Sequence, residues 1–176
     1  VLDIVKQLAL IYPQESVAHL LVAEIALQAN MFGAALTAID NAIDNGADIR
    51  QSKILKNRVL WASGDRPAAI KGFSKMLEEY PQDTEVRSSY ARFLLAAGKT
   101  EQAKQQFNKI YEYHPDDSEF LFSTAMIMLE NSELDTAREY LNKLLGKGYR
   151  ENEVYYFLGR LEQVAKNYPE AIGWYK

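Results

Sequence analysis

Residues 90–115 read YARFLLAAGKTEQAKQQFNKIYEYHP, and this stretch decides the fold. Apolar residues recur at three- and four-residue spacing as far as Ala97, the pattern of one face of a helix. Gly98-Lys99-Thr100 interrupts it. The pattern resumes over 101–113 and ends at His114-Pro115, because proline cannot continue a helix. Thr100 stands where an N-cap is expected, its hydroxyl accepting from an unpaired amide of the first turn. The spacing therefore predicts helices over 85–97 and 101–113 joined by a tight turn.

Working outward, Ala103 has counterparts at Ala35, Ala69, Ala137 and Ala171, each 34 residues from the next. Four residues after each stands a large side chain: Ile39, Phe73, Phe107, Leu141 and Tyr175. The register holds without an insertion, and a fixed period of this size is the mark of a repeat architecture. The units are 16–49, 50–83, 84–117, 118–151 and an incomplete 152–176, with 1–15 reading as the tail of another. The chain begins with Val1, and residues 1–5 already read as helix. Both ends are expected to cut through repeats, with any targeting segment lying beyond them.

Each unit repeats the same grammar. Pro67 and Pro169 fall in the first turn of a second helix, where a missing N–H costs nothing. Tyr12-Pro13, Tyr80-Pro81 and His114-Pro115 stop helices, whereas Gly46 and Gly148 offer left-handed C-caps. Ala103 and its counterparts are placed where two backbones approach closely and only a methyl group fits. Stacked pairs of this kind bury a core through neighbour contacts alone. The fold class expected over the whole chain is all-α, a right-handed superhelical solenoid of antiparallel helix pairs with a concave face.

Composition agrees. The 176 residues are 48% hydrophobic and 25% charged, with 9 Gly and 5 Pro, as in ordinary globular chains. A net charge of −4 argues against a broad nucleic-acid surface. No apolar run approaches the ~18 residues of a membrane span. The absence of cysteine removes disulfides, zinc ribbons and thiol nucleophiles.

The period, the break at Gly64 or Gly98 five residues before Ala69 or Ala103, the aromatic four residues on and the terminal proline resemble the tetratricopeptide repeat. The resemblance covers essentially the whole chain. It is fullest at 84–117, through Tyr90-Ala91, Gly98, Ala103, Phe107 and Pro115, and at 152–176, through Tyr155, Leu158-Gly159, Tyr168, Ala171 and Tyr175. Unit 50–83 departs from it: Lys53, Lys56 and Asn57 stand where the family has two large apolar residues and a small one. A rotated or irregular first helix is expected there.

No catalytic constellation appears. His19 lies among Ala18, Leu20, Leu21 and Val22 and reads as packing, and His114 reads as a helix-end cap. Neither has a second histidine or a cysteine at metal-ligand spacing. Asp116-Asp117 and Glu78-Glu79 read as solvated charge near helix ends. There is no Gly-rich phosphate cradle and no G-x-S-x-G elbow. The chain is expected to be neither an enzyme nor a holder of a metal or cofactor.

In this family the concave face is lined mainly by first helices and takes partner peptides. Its fifth slots are Leu20, Ile54, Ser88, Phe122 and Tyr156, and its twelfth are Leu27, Trp61, Leu95, Leu129 and Gln163. The ninth slots between them are Glu24, Arg58, Arg92, Met126 and Arg160. Candidate partner-binding residues are accordingly Leu20, Glu24, Ile54, Arg58, Trp61, Arg92, Leu95, Phe122, Met126, Tyr156 and Arg160. Arginine suits carboxylate capture and stacking on rings, so the surface would take an apolar helix or extended segment of a protein oriented by acidic groups. Alternatively the arginines pair with Glu24, Glu85 or Glu119, the apolar rows are core, and Trp61 and Phe122 are packed. Chaperone-tail clamps of the family use Lys and Asn at slots where this chain has Leu20, Glu24, Ile54 and Arg58, which argues against that partner.

The strings LLVAEIALQ (20–28), YYFLGRLEQ (155–163) and AIGWY (171–175) are similar to segments of proteobacterial envelope lipoproteins with many such repeats. Some of these are adaptors holding a carboxyl-terminal processing protease. The resemblance implies a periplasmic or outer-membrane-anchored scaffold whose partner is a protease or its substrate. A structural spacer acting by self-association, with Leu2 and Val5 at one end and Ile172 and Trp174 at the other, is the alternative.

Overall fold

The computed structural model describes Gln7, Ile11 and residues 14–176. Among these residues it contains ten helices and no strand: α1 (Ser16–Gln28), α2 (Phe32–Asp44), α3 (Ile49–Ala62), α4 (Arg66–Glu79), α5 (Thr84–Ala96), α6 (Thr100–Tyr113), α7 (Ser118–Glu130), α8 (Leu134–Asn142), α9 (Glu151–Val164) and α10 (Tyr168–Trp174). The helix stop at Tyr12-Pro13 and the apolar end at Leu2 and Val5 lie outside the described residues. The fold is all-α, and its helices come in short-linked antiparallel pairs.

Three residues join the helices of every pair, and the middle one is always in the left-handed region. These are Asn30 (φ 57°), Gly64 (95°), Gly98 (73°), Ser132 (63°) and Lys166 (61°), all at the fifteenth slot of their units. In four of the five turns the following amide bonds a carbonyl five residues back: Met31 to Ala26, Lys99 to Leu94, Glu133 to Met128 and Asn167 to Glu162, each at 2.8 Å. This is the Schellman geometry, which satisfies carbonyls that the helix end leaves open. Thr100 does not cap α6. Lys99 occupies the N-cap position, and the Thr100 hydroxyl bonds Glu133 Oε1 at 2.7 Å instead.

The chain forms two compact units, Val1–Phe93 and Leu94–Lys176. In the first, Val22, Ala23, Ala26, Ala35, Ile39 and Val59 form one buried cluster, and Ile54, Phe73, Met76 and Val86 form another. Phe73 stacks on Phe93 with ring centroids 5.0 Å apart. In the second, Phe107, Leu121, Met128, Tyr140, Leu144 and Leu158 are buried. The Tyr140 hydroxyl bonds Asn108 Oδ1 at 2.8 Å, and burial pushes its pKa well above the usual phenol value. The period-marking Ala35, Ala69, Ala103 and Ala137 are fully buried in their units, with Ile39, Phe73, Phe107 and Leu141 beside them.

The first helix of unit 50–83 is regular, contrary to the expectation from its residues. Asp48 caps α3, accepting from the Gln51 amide at 2.7 Å, and the helix runs unbroken to Ala62. The reason lies in the paired helix. Asn57 is buried where a small residue was expected, and its side chain fills the place a Cβ on Gly72 of α4 would need. In unit 152–176 the arrangement is reversed: Gly159 on the first helix receives the ring of Tyr175.

Candidate partner-binding surface

In the first unit, Leu20 and Glu24 on α1 and Ile54 and Arg58 on α3 line one open cavity of about 280 Å³, together with Val17 and Leu21. Val17 and Leu21 are exposed apolar side chains one helical turn apart, on a face the core does not use. Arg58 is engaged across the cavity by Glu24, Nη1 to Oε1 at 2.7 Å and Nη2 to Oε2 at 3.3 Å. Ile54 is buried at 7% exposure and serves the core as well as the cavity floor. Trp61 is half-buried rather than free, its ring 4.9 Å from that of Phe93 and covered by the Arg66 guanidinium at 5.1 Å. Arg92 is exposed and makes no ion pair among the described residues.

In the second unit, Leu95 is buried at 6% exposure. Phe122 is half-buried in an aromatic cluster, edge-on to Tyr149 at 6.2 Å and Phe157 at 6.1 Å, with the Arg150 guanidinium 5.2 Å above its ring. Met126 and Arg160 line a cavity of about 470 Å³ between α7, α8 and α9, walled by Leu129, Leu134, Phe157 and Val164. Tyr156 is exposed, its ring 6.2 Å from that of Tyr175, and both line a smaller aromatic recess with Tyr155 and Trp174.

The structure thus brings Leu20, Glu24, Ile54 and Arg58 together in one cavity and Met126 and Arg160 in another. Trp61 and Phe122 are drawn into ring clusters of their own. Sequence reasoning missed Val17, Leu21, Phe157 and Val164; the signal available was apolar character at the second, sixth and thirteenth slots.

The polar chemistry is structural. Arg50 at the start of α3 bonds Asp83 before α5 and lies 2.5 Å from Glu85, so its guanidinium is shared by two carboxylates. The hydrogen bond from Arg50 holds the Asp83 carboxyl below its ordinary range, with the Val86 amide adding to the effect at 3.0 Å. Lys104 and Lys143 meet Glu139 at 2.7 and 3.2 Å and likewise lower its pKa. His19 is buried on α1. Among the described residues no cluster of acids and histidines could hold a metal, and no helix is long and apolar enough to cross a membrane.

The sequence profile of the tetratricopeptide repeat matches residues 60–121 and 95–161, together more than half of the chain. The chain belongs to the tetratricopeptide repeat family. Solved structures of similar fold include MamA, residues 41 to the end, from Desulfovibrio magneticus RS-1. It is 14% identical with a TM-score of 0.63, over 91% of this chain and 90% of that one. A second is Pseudomonas aeruginosa PilF, 17% identical with a TM-score of 0.60 over 97% and 78%. At such identities the likeness is one of fold. No curated protein matches the sequence. Tetratricopeptide repeats form a generally non-catalytic scaffold whose members bind protein partners.

Proposed function

We propose that this tetratricopeptide repeat chain is a non-enzymatic adaptor that binds a peptide or helix of a partner protein on the first-helix surface of each unit. The observation that carries the reading is a pair of open, mainly apolar cavities walled by first helices, one on α1 and α3 and one between α7, α8 and α9, each with a ninth-slot arginine in its lining. Apolar concavities with a few oriented polar groups are the usual form of binding sites. The likeness of segments 20–28, 155–163 and 171–175 to envelope repeat lipoproteins supports a place in a bacterial envelope complex, with a processing protease or its substrate as partner.

Photo-crosslinking tests this. A crosslinkable side chain at Leu21 or Val164 should trap a discrete partner in envelope extract. The same group at the exposed second-helix positions Lys75 or Gln105 should not. Trapping only from second-helix positions would move the site off the cavities.

A second reading is favoured by one observation. Tyr155, Tyr156, Tyr168, Ile172 and Tyr175 are exposed large side chains on α9, on α10 and at the C-cap of α10, the kind of surface through which chains associate. A structural role through self-association predicts a sedimentation coefficient that rises with concentration and is lowered by Ile172→Asp, with cavity substitutions silent.

A further inference from the structure

Four cations stand close together on α3, Arg50, Lys53, Lys56 and Arg58, and no acid accompanies them between Ile49 and Ala62. At 3.6 residues per turn they spread over more than half of the helix circumference. Each is met by a carboxylate from a different part of the first unit. Arg58 bonds Glu24 of α1 at 2.7 Å, Lys56 bonds Asp40 of α2 at 3.0 Å, and Lys53 bonds Glu79 of α4 at 2.5 Å. Arg50 is shared by Asp83, just before α5, and Glu85 within it. The pairs thus tie α3 to α1, α2, α4 and the start of α5. Its apolar hold is thin by comparison. Of the buried residues on α3, Ser52 and Asn57 are polar, and the Ser52 hydroxyl has no hydrogen-bond partner among the described residues. The buried apolar side chains are those of Ile54, Leu55 and Val59. In the second unit the first helix α7 is built the other way: it carries no cation, and Leu121, Ala125 and Met128 are buried completely.

We propose that α3 is kept in place by this ring of ion pairs as much as by its core, so that ionic strength sets how often the helix opens while α7 stays closed. A half-exposed pair contributes little alone and weakens as the screening length falls. Here five carboxylates act on one helix, and screening loosens them together. The consequence reaches the surface. Ile54 and Arg58 of α3 line the cavity of about 280 Å³ with Leu20 and Glu24 of α1, so that hollow keeps its shape only while the clasp is closed. The inference goes beyond the adaptor reading and holds whether or not the cavity takes a partner.

The test is hydrogen exchange of the whole chain, read by mass spectrometry in about 10 mM and about 1 M sodium chloride, where the screening lengths are about 30 and 3 Å. Amides of α3 should exchange faster at high salt by about threefold or more, and those of α7 should change by less than half as much. Lys53→Glu, which faces Glu79, reverses the sign. In that variant α3 should exchange faster than in wild type at low salt and slow toward it as salt rises. Lys53→Glu combined with Glu79→Lys should restore both the wild-type rate and its salt response. The proposal fails if α3 and α7 of the wild type respond to salt alike, or if α3 slows at high salt. It fails equally if the double exchange leaves α3 as labile as Lys53→Glu alone, because packing at position 53 rather than charge would then hold the helix. Should Lys53→Glu not fold, the wild-type salt series and the double exchange still decide.

Discussion

Asn57 and Gly72 show how a repeat keeps its geometry when its residues change. The close approach of two helices needs one small partner, and it does not matter which helix supplies it. In unit 152–176 the small residue is Gly159 on the first helix, whereas in unit 50–83 it is Gly72 on the second, with Asn57 buried opposite. Gly72→Ala therefore sets two effects against each other: a helix-propensity gain of about 1 kcal/mol and a clash with Asn57. The clash should win, lowering stability by about 1 kcal/mol. In an Asn57→Ala background the same change should be neutral or stabilising, a sign reversal that a double-mutant cycle in urea would show. The sequence signalled a departure at Asn57 but left its remedy hidden, because Gly72 compensates only once the two helices are side by side. Trp61 and Phe122 were obscured for a similar reason. Their slots were readable, but the rings that draw them in come from elsewhere, Phe93 from α5 and Tyr149 from the connection before α9.

Among the elements, the turn within each pair was the most readable by period and the least readable by residue type. Gly64 and Gly98 advertise a left-handed backbone, and Asn30 tolerates one, whereas Ser132 and Lys166 give no local sign of it. Only their common fifteenth slot does. Ser132→Gly and Lys166→Gly should each stabilise the chain by about 0.5–1 kcal/mol, read as a raised thermal midpoint. A lowered midpoint would mean those side chains hold the turn by other means. The start of α3 is tied to the start of α5 by Arg50, Asp83 and Glu85. The Asp83 pKa is depressed in the folded chain. Its contribution is thus complete above the ordinary carboxylate value of about 4 and is lost as pH falls through the lower folded value. Asp83→Asn keeps a capping side chain for the Val86 amide but removes the charge. The variant should be less stable at neutral pH by about 1–2 kcal/mol, and the gap to wild type should close as pH drops below about 4.

For the molecule as a whole, stability is local. Within the first unit the buried clusters are built from residues close in sequence, and the second unit has buried residues of its own. Ala103→Leu overpacks a fully buried site in the second unit and should cost about 1–3 kcal/mol. Hydrogen exchange should quicken in α6 and its neighbour α7, while α1 and α2 in the first unit keep their protection. Uniform acceleration would mean that the chain opens as one cooperative body. The architecture was legible from five alanines in register, and the ninth-slot residues were legible as a row. Which arginine is already satisfied was not, since that depends on what stands one period away.

The same spacing governs how the chain can tolerate changes in length. Several side-chain bonds between neighbouring repeats join residues about one period apart: Arg58 with Glu24, Arg50 with Asp83, Thr100 with Glu133, Tyr140 with Asn108. Excising or duplicating a whole unit would rejoin surfaces of matching kind and preserve helix phase. Losing two or three residues inside a helix would rotate everything downstream away from its partners. Viable length variants of this protein should therefore fall in steps of 34 residues, a ruler written into the sequence by its own period.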